Sequence, residues 1–189
     1  MTASEVPAVL ARARQGDSEA FRQLVERHCR AAFRLAFRMT GNEQDAEDVV
    51  QESLIKAYRH LGRFETRADF GTWLHRIVAN CAVDMIRSRQ SRQKHTWAEP
   101  FEQSTSARAS DLPGPERLAE SSEVQRRVAS ALDALSPLER AAFALRHYEG
   151  RTIDEIGRTL NLGTSATKQA VFRAVRKLRV ELHELRTES

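Results

Sequence analysis

Apolar residues recur every three or four positions over most of the chain, the period of a helix face. After Asp17, Phe21, Leu24, Val25, His28, Ala32, Leu35, Ala36 and Met39 form one such stripe. Thr40-Gly41 ends it. Asn42 is placed to cap a second helix carrying Ala46, Val49, Val50, Leu54, Ala57, Tyr58 and Leu61, which Gly62 stops. Beyond a loop from Arg63 to Asp69, Asp69 caps a third stripe: Phe70, Trp73, Leu74, Ile77, Val78, Cys81 and Met85. Ala79 and Val83 leave a further edge of that helix apolar.

From Ser88 to Glu120 the period dissolves. The stretch holds three of the five prolines and many Ser and Thr, and reads as a linker with Trp97 and Phe101 as possible anchors. Helicity returns at Ser121 or Ser122 with Val124, Val128, Ala131, Leu132 and Leu135. Ser136-Pro137 is a strong start signal for the next helix, which carries Leu138, Ala142 and Leu145 and stops at Gly150. Thr152 to Glu155 has the form of a capping box opening a short helix to about Leu160. Asn161-Leu162-Gly163 is a tight turn, and Thr164 or Ser165 caps a last helix that runs past Leu178. No strand pattern competes. The expected fold is all-α: two small helical domains joined by a flexible linker, with an extension at 1–16, a first domain at 17–90, the linker at 91–120 and a second domain at 121–185.

Composition narrows the class. The chain has 189 residues, 41% hydrophobic and 30% charged, which is globular. No apolar run approaches the ~20 residues that cross a bilayer, and no signal peptide is indicated, so the expectation is a cytoplasmic protein without membrane insertion. Cys29 and Cys81 lie in apolar helical patterns without CxxC spacing, which predicts buried reduced thiols and no metal. The six histidines are scattered, with no HExxH pair and no phosphate-binding glycine loop, so no enzyme and no cofactor are expected.

Net charge is only +4, so the placement of charge carries the argument. A short helix, a glycine turn and a longer basic helix make a helix-turn-helix. Ser165, Thr167, Lys168 and Gln169 suit contact with base edges, and Arg173, Arg176 and Lys177 suit phosphates. By contrast, 42–55 is acidic without a single Lys or Arg. Asp45, Asp48 and Glu52 share an outward face with Gln51, which fits either a basic protein partner or a solvated helix start. Arg63, Phe64, Arg67, Phe70 and Trp73 interleave cations with aromatics, the mixture that unpaired nucleic acid requires. Phe70 and Trp73 also suit core anchors, and Phe64 suits either role. Arg76, Asn80, Asp84 and Arg87 share one face of the third helix.

Taken in order, DAEDVVQESLIKAYRHL, FGTWLHRIVANCAVDMIR and LSPLERAAFALRHYEGRTIDEIGRTLNLGTSATKQAVFRAVRKLR resemble the sigma-70 family, and within it the extracytoplasmic-function group, which has regions 2 and 4 only. The resemblance implies a transcription initiation factor. Its first stretch, with Asp45, Asp48, Gln51, Glu52 and Lys56, would grip the β′ coiled coil of RNA polymerase core, with the β flap as a further contact. Arg63, Phe64, Arg67, Trp73, Arg76, Asn80, Asp84 and Arg87 would recognise and melt the −10 element, and Ser165, Thr167, Lys168, Gln169, Phe172, Arg173, Arg176 and Lys177 would read the −35 element. Promoter DNA, both duplex and single-stranded, and an anti-sigma factor are the further partners implied. Gln169 and Ala170 stand where serine and arginine are common in the family. The alternative from the residues alone is a stand-alone helix-turn-helix regulator.

Overall fold

The computed structural model describes residues 6–64, 69–95 and 130–187. Trp97, Phe101, Arg67 and the expected helix start at Ser121 or Ser122 lie outside the described residues. Within them every regular element is helical.

Helix α1, Val6–Arg14, falls in the stretch read as an extension, and buries Val9, Leu10 and Ala13. Helix α2, Ser18–Thr40, starts where Asp17 accepts the Ala20 backbone N–H at 3.0 Å. It stops at Gly41, whose φ of 82° suits a residue without Cβ. Helix α3, Glu43–His60, is capped by Asn42, which accepts the Asp45 N–H at 2.7 Å. A single 3₁₀ turn, Leu61–Arg63, follows. Helix α4, Phe70–His95, opens on Asp69, which accepts the Thr72 N–H at 2.8 Å. The four helices enclose Leu24, Leu35, Met39, Val49, Phe70, Leu74 and Val78 as their shared core.

The second module contains α5, Pro137–His147, α6, Ile153–Leu160, and α7, Thr164–Thr187. Ser136 with Glu139, and Thr152 with Glu155, form complete capping boxes. Asn161 closes α6 at φ 54°, the left-handed region that asparagine tolerates better than most side chains. Gly157 is required by closeness: a Cβ there would lie 2.8 Å from the Leu162 carbonyl oxygen. Helix α7 crosses both α5 and α6. Residues 130–133 are helical, and Ala131 and Leu135 pack with Ala174 and Leu178.

The modules touch. Helix α5 lies against α2 and α4, and α6 lies against α4. The apolar edge of α4, Ala79, Ala82 and Val83, is buried in the same cluster as Ala141, Ala144, Leu145 and Ile156. Arg140, 4% exposed, reaches back to Gly41 so closely that a Cβ there would sit 2.6 Å from Nη2.

Candidate nucleic-acid and partner interfaces

Helix α3 turns Asp48, Gln51 and Glu52 outward, and all three are exposed. Asp45 is partly committed elsewhere: its carboxylate accepts from Arg89 of α4 and from Asn42, each at 2.6 Å. Lys56 pairs with Glu52 at 3.2 Å and donates to the Cys81 thiol at 3.4 Å. Two exposed apolar side chains extend this face, Ile55 at 42% and Tyr58 at 50%. The periodicity had placed Tyr58 inward; its ring instead meets Phe21 edge-on and leaves half its surface in solvent. Between α3 and α4 lies an open cleft of about 320 Å³ lined by residues including Glu52, Lys56, Asp84 and Arg92.

On α4, Arg76, Asn80, Asp84 and Arg87 are all exposed. Their spacing of three or four puts them on one face, with Asp84 at the edge of the cleft against α3. Arg63 is exposed at the preceding turn. Phe64 is only 3% exposed, with its ring 4.9 Å from Trp73 and 6.1 Å from Phe70. The three rings plug the end of the first module, with Trp73 half-buried, so Phe64 offers no free face to a base in this conformation.

On α7, Ser165, Lys168, Gln169, Phe172, Arg173 and Arg176 are exposed. Thr167 is not. It is fully buried and donates its hydroxyl to the Gly163 carbonyl at 3.0 Å, so it holds the turn and cannot reach a base edge. Lys177 turns inward to Glu139 at 2.7 Å and to the Ala134 carbonyl at 3.1 Å, which takes its ammonium away from any phosphate. Ala170 is buried as well and faces the core.

Burial and charge meet where the modules touch. Glu149 accepts from Arg38 at 3.0 Å and lies 3.7 Å from the His75 ring. Neither His75 nitrogen has a hydrogen-bond partner among the described residues, and burial pushes its pKa below the ordinary value, with Glu149 opposing and Arg151 reinforcing the shift. Both cysteines are free thiols, Cys29 half-buried and Cys81 buried. Among the described residues no group of three His, Cys, Asp or Glu side chains is placed to hold a metal, and no helix is long and apolar enough to cross a membrane.

These surfaces belong to a two-module helical protein with an acidic face on its first module and a basic helix on its second. Comparison with known proteins makes the class specific. Residues 24–92 match the family model Sigma-70 region 2, and residues 131–180 match Sigma-70, region 4. The ECF RNA polymerase sigma factor SigE of Mycolicibacterium smegmatis is 34% identical over 157 residues, a match covering 83% of this chain and 59% of that protein. The RNA polymerase sigma factor NccH of Alcaligenes xylosoxydans is 35% identical over 179 residues, 94% of this chain and 95% of that one. Among solved structures, CnrH in complex with the cytosolic domain of CnrY is 27% identical with a TM-score of 0.65, covering 94% of this chain and 96% of CnrH. RpoE of Bartonella quintana, solved with the anti-sigma factor NepR, shares the fold at a TM-score of 0.65 and 23% identity, over 86% of this chain and 96% of RpoE. The chain belongs to the sigma-70 family, in its extracytoplasmic-function group. It is a transcription initiation factor.

Proposed function

We propose that the chain brings core RNA polymerase to promoters by dividing the work among three separate faces. Asp48, Gln51 and Glu52, with Ile55 and Tyr58, dock on a basic surface of core, and the β′ coiled coil and β flap are the intended contacts. Arg63, Arg76, Asn80, Asp84 and Arg87 engage the −10 element, where trapping unstacked bases offsets the cost of melting. Ser165, Lys168, Gln169, Phe172, Arg173 and Arg176 engage the −35 major groove. The domain limits proposed are 17–90, with α1 packed against this first domain, and 121–185. The protein acts in the cytoplasm, hydrolyses no nucleotide and is held in check by an anti-sigma factor, the kind of partner with which RpoE of Bartonella quintana was solved.

The observation that supports this reading best is the separation of charge. Asp48 and Glu52 are exposed on the first module and Lys168, Arg173 and Arg176 on the second, and among the described residues no ion pair joins either set to the other module. Run-off transcription with purified core on a genomic library tests it: the chain confers start sites that core alone does not use. The D48K/E52K variant loses co-purification with core. Tight binding of a specific duplex by the free chain, unchanged by core, would instead favour the stand-alone regulator.

A further inference from the structure

Helix α2 changes character halfway along. In its first half acids and bases alternate, and Arg22 bonds both Glu19 and Glu26. From Arg27 to Asn42 there is no acid at all, while Arg27, Arg30, Arg34 and Arg38 recur every three or four residues. Arg27, Arg30 and Arg34 are exposed, and neither Arg30 nor Arg34 pairs with an acid among the described residues. Like charges one helical turn apart repel, so such a row is unfavourable to folding on its own. Two rings flank this row, each one position before an arginine, with Phe33 partly packed on the core. Phe33 and Phe37 stack with their centroids 6.2 Å apart, and Phe37 is 44% exposed.

The far end of the row is already occupied by an anion. The Glu149 carboxylate of the second module sits 3.0 Å from Arg38 Nη1 and 3.7 Å from His75 Nδ1, and the Arg38 guanidinium lies over the Tyr148 ring at 4.5 Å. A carboxylate oxygen against a guanidinium is the arrangement a phosphate oxygen would adopt there. The near end of the row lies beside the start of α4. The His28 ring is 5.3 Å from Phe70, and His28 Nδ1 is 3.0 Å from where a Cβ on Gly71 would stand.

We propose that Arg27, Arg30, Arg34 and Arg38, with Phe33 and Phe37, form a track for the backbone and bases of single-stranded DNA, and that Glu149 covers its Arg38 end while the modules are docked. Cations at intervals of about one turn, ~5.4 Å along the axis, alternate with flat apolar faces, which is how single strands are held without sequence preference. An acidic protein would use the charges and leave the exposed ring without a role. The near end of the row lies beside the start of α4, and the inference rests on the proposed handling of unpaired promoter DNA.

The test uses the full chain and a fluorescein-labelled oligothymidylate of about twenty nucleotides, with anisotropy read from about 50 to 300 mM salt. Replacing Arg30 and Arg34 by serine lowers affinity roughly tenfold at the low-salt end and reduces the log–log salt slope by about 1.4, two contacts at about 0.7 each. The R30K/R34K variant keeps the slope, F37A weakens binding with the slope unchanged, and E149Q tightens binding by uncovering Arg38. Both arginines are exposed and their removal relieves the like-charge row, so the serine variant stays folded, which its thermal melt checks, and R30K/R34K reports on charge alone should it not. An unchanged slope in R30S/R34S overturns the track, and unchanged affinity in E149Q overturns the masking. If wild-type protein directs transcription while R30S/R34S keeps its slope, only the track is wrong. If the wild type directs none, the functional reading itself fails.

Discussion

Lys177 of α7 and Glu139 of α5 meet as ammonium and carboxylate at 2.7 Å, although 38 positions separate them. The same carboxylate oxygen accepts the Ser136 backbone N–H at 2.8 Å, so one acid caps α5 and ties α7 to it. Burial pulls the Glu139 pKa upward, but Lys177 and Ser136 outweigh it and hold it below the ordinary 4.5. A carboxyl lowered on folding stabilises the fold above its unfolded pKa and loses that contribution as pH falls through the folded one. The second module is therefore expected to weaken as pH drops below about 4.5. Thermal melts of E139Q across this range should show a smaller slope with pH than the wild type, and a lower melting temperature at pH 7.

Gly157 faces the Leu162 carbonyl oxygen and the Thr167 hydroxyl, which would lie 2.8 Å and 3.1 Å from an added Cβ. The obstacles are backbone and a hydroxyl already bonded to Gly163. Gly157→Ala gains about 1 kcal/mol of helix propensity and loses more through overpacking, typically 1–3 kcal/mol. Chemical denaturation should show a net loss of about 1 kcal/mol, with duplex binding through α7 weakened in step.

Phe64 decides between two roles for the aromatic cluster. Its burial between Phe70 and Trp73 predicts that Phe64→Ala destabilises the first module by about 3 kcal/mol. Denaturant titration would show this without any DNA present. A variant as stable as wild type that failed only in promoter melting would restore the direct contact with a base.

Lying 3.7 Å from Glu149 of the other module, His75 is expected to make docking of the modules depend on pH. Its neutral form is favoured by burial, by Arg151 and by Arg34, against Glu149 and Asp69. A histidine with a lowered pKa leaves the separated state binding more protons, so docking is strongest above about pH 6.5 and weakens as pH falls below it. Fluorophores attached at Glu47 and Lys168, both exposed, should report a growing separation from pH 7.5 toward pH 5.5. His75→Gln should flatten that response.

The helices were legible because their punctuation is local. Asn42, Gly41, the Ser136-Pro137 pair and the Thr152–Glu155 box act within four residues, and each is seen to cap as its type predicts. The helix-turn-helix followed from the same signals. Thr167 and Lys177 were misplaced because they were chosen by chemical type, whereas the phase of α7 places Thr167 in line with Ala170, Ala174 and Leu178 on the inner face. That phase was present in the sequence. So was the i, i+3, i+4, i+7 pattern of Val6, Val9, Leu10 and Ala13 that makes α1 a packed helix. The contacts of Arg38, His75 and Arg140 with the other module were not legible, since nothing local in a sequence states which surface a distant segment will meet.

The buried edge of α4 has a consequence for how long the modules stay apart. Ala79, Ala82 and Val83 are buried in one cluster with residues of α5 and α6, which lie against α4. Once the halves separate, that hydrocarbon is wetted, at roughly 25 cal/mol for each Å². An extended form alone in solution would then be short-lived and adhesive, and would persist only while some other macromolecule shields the same strip.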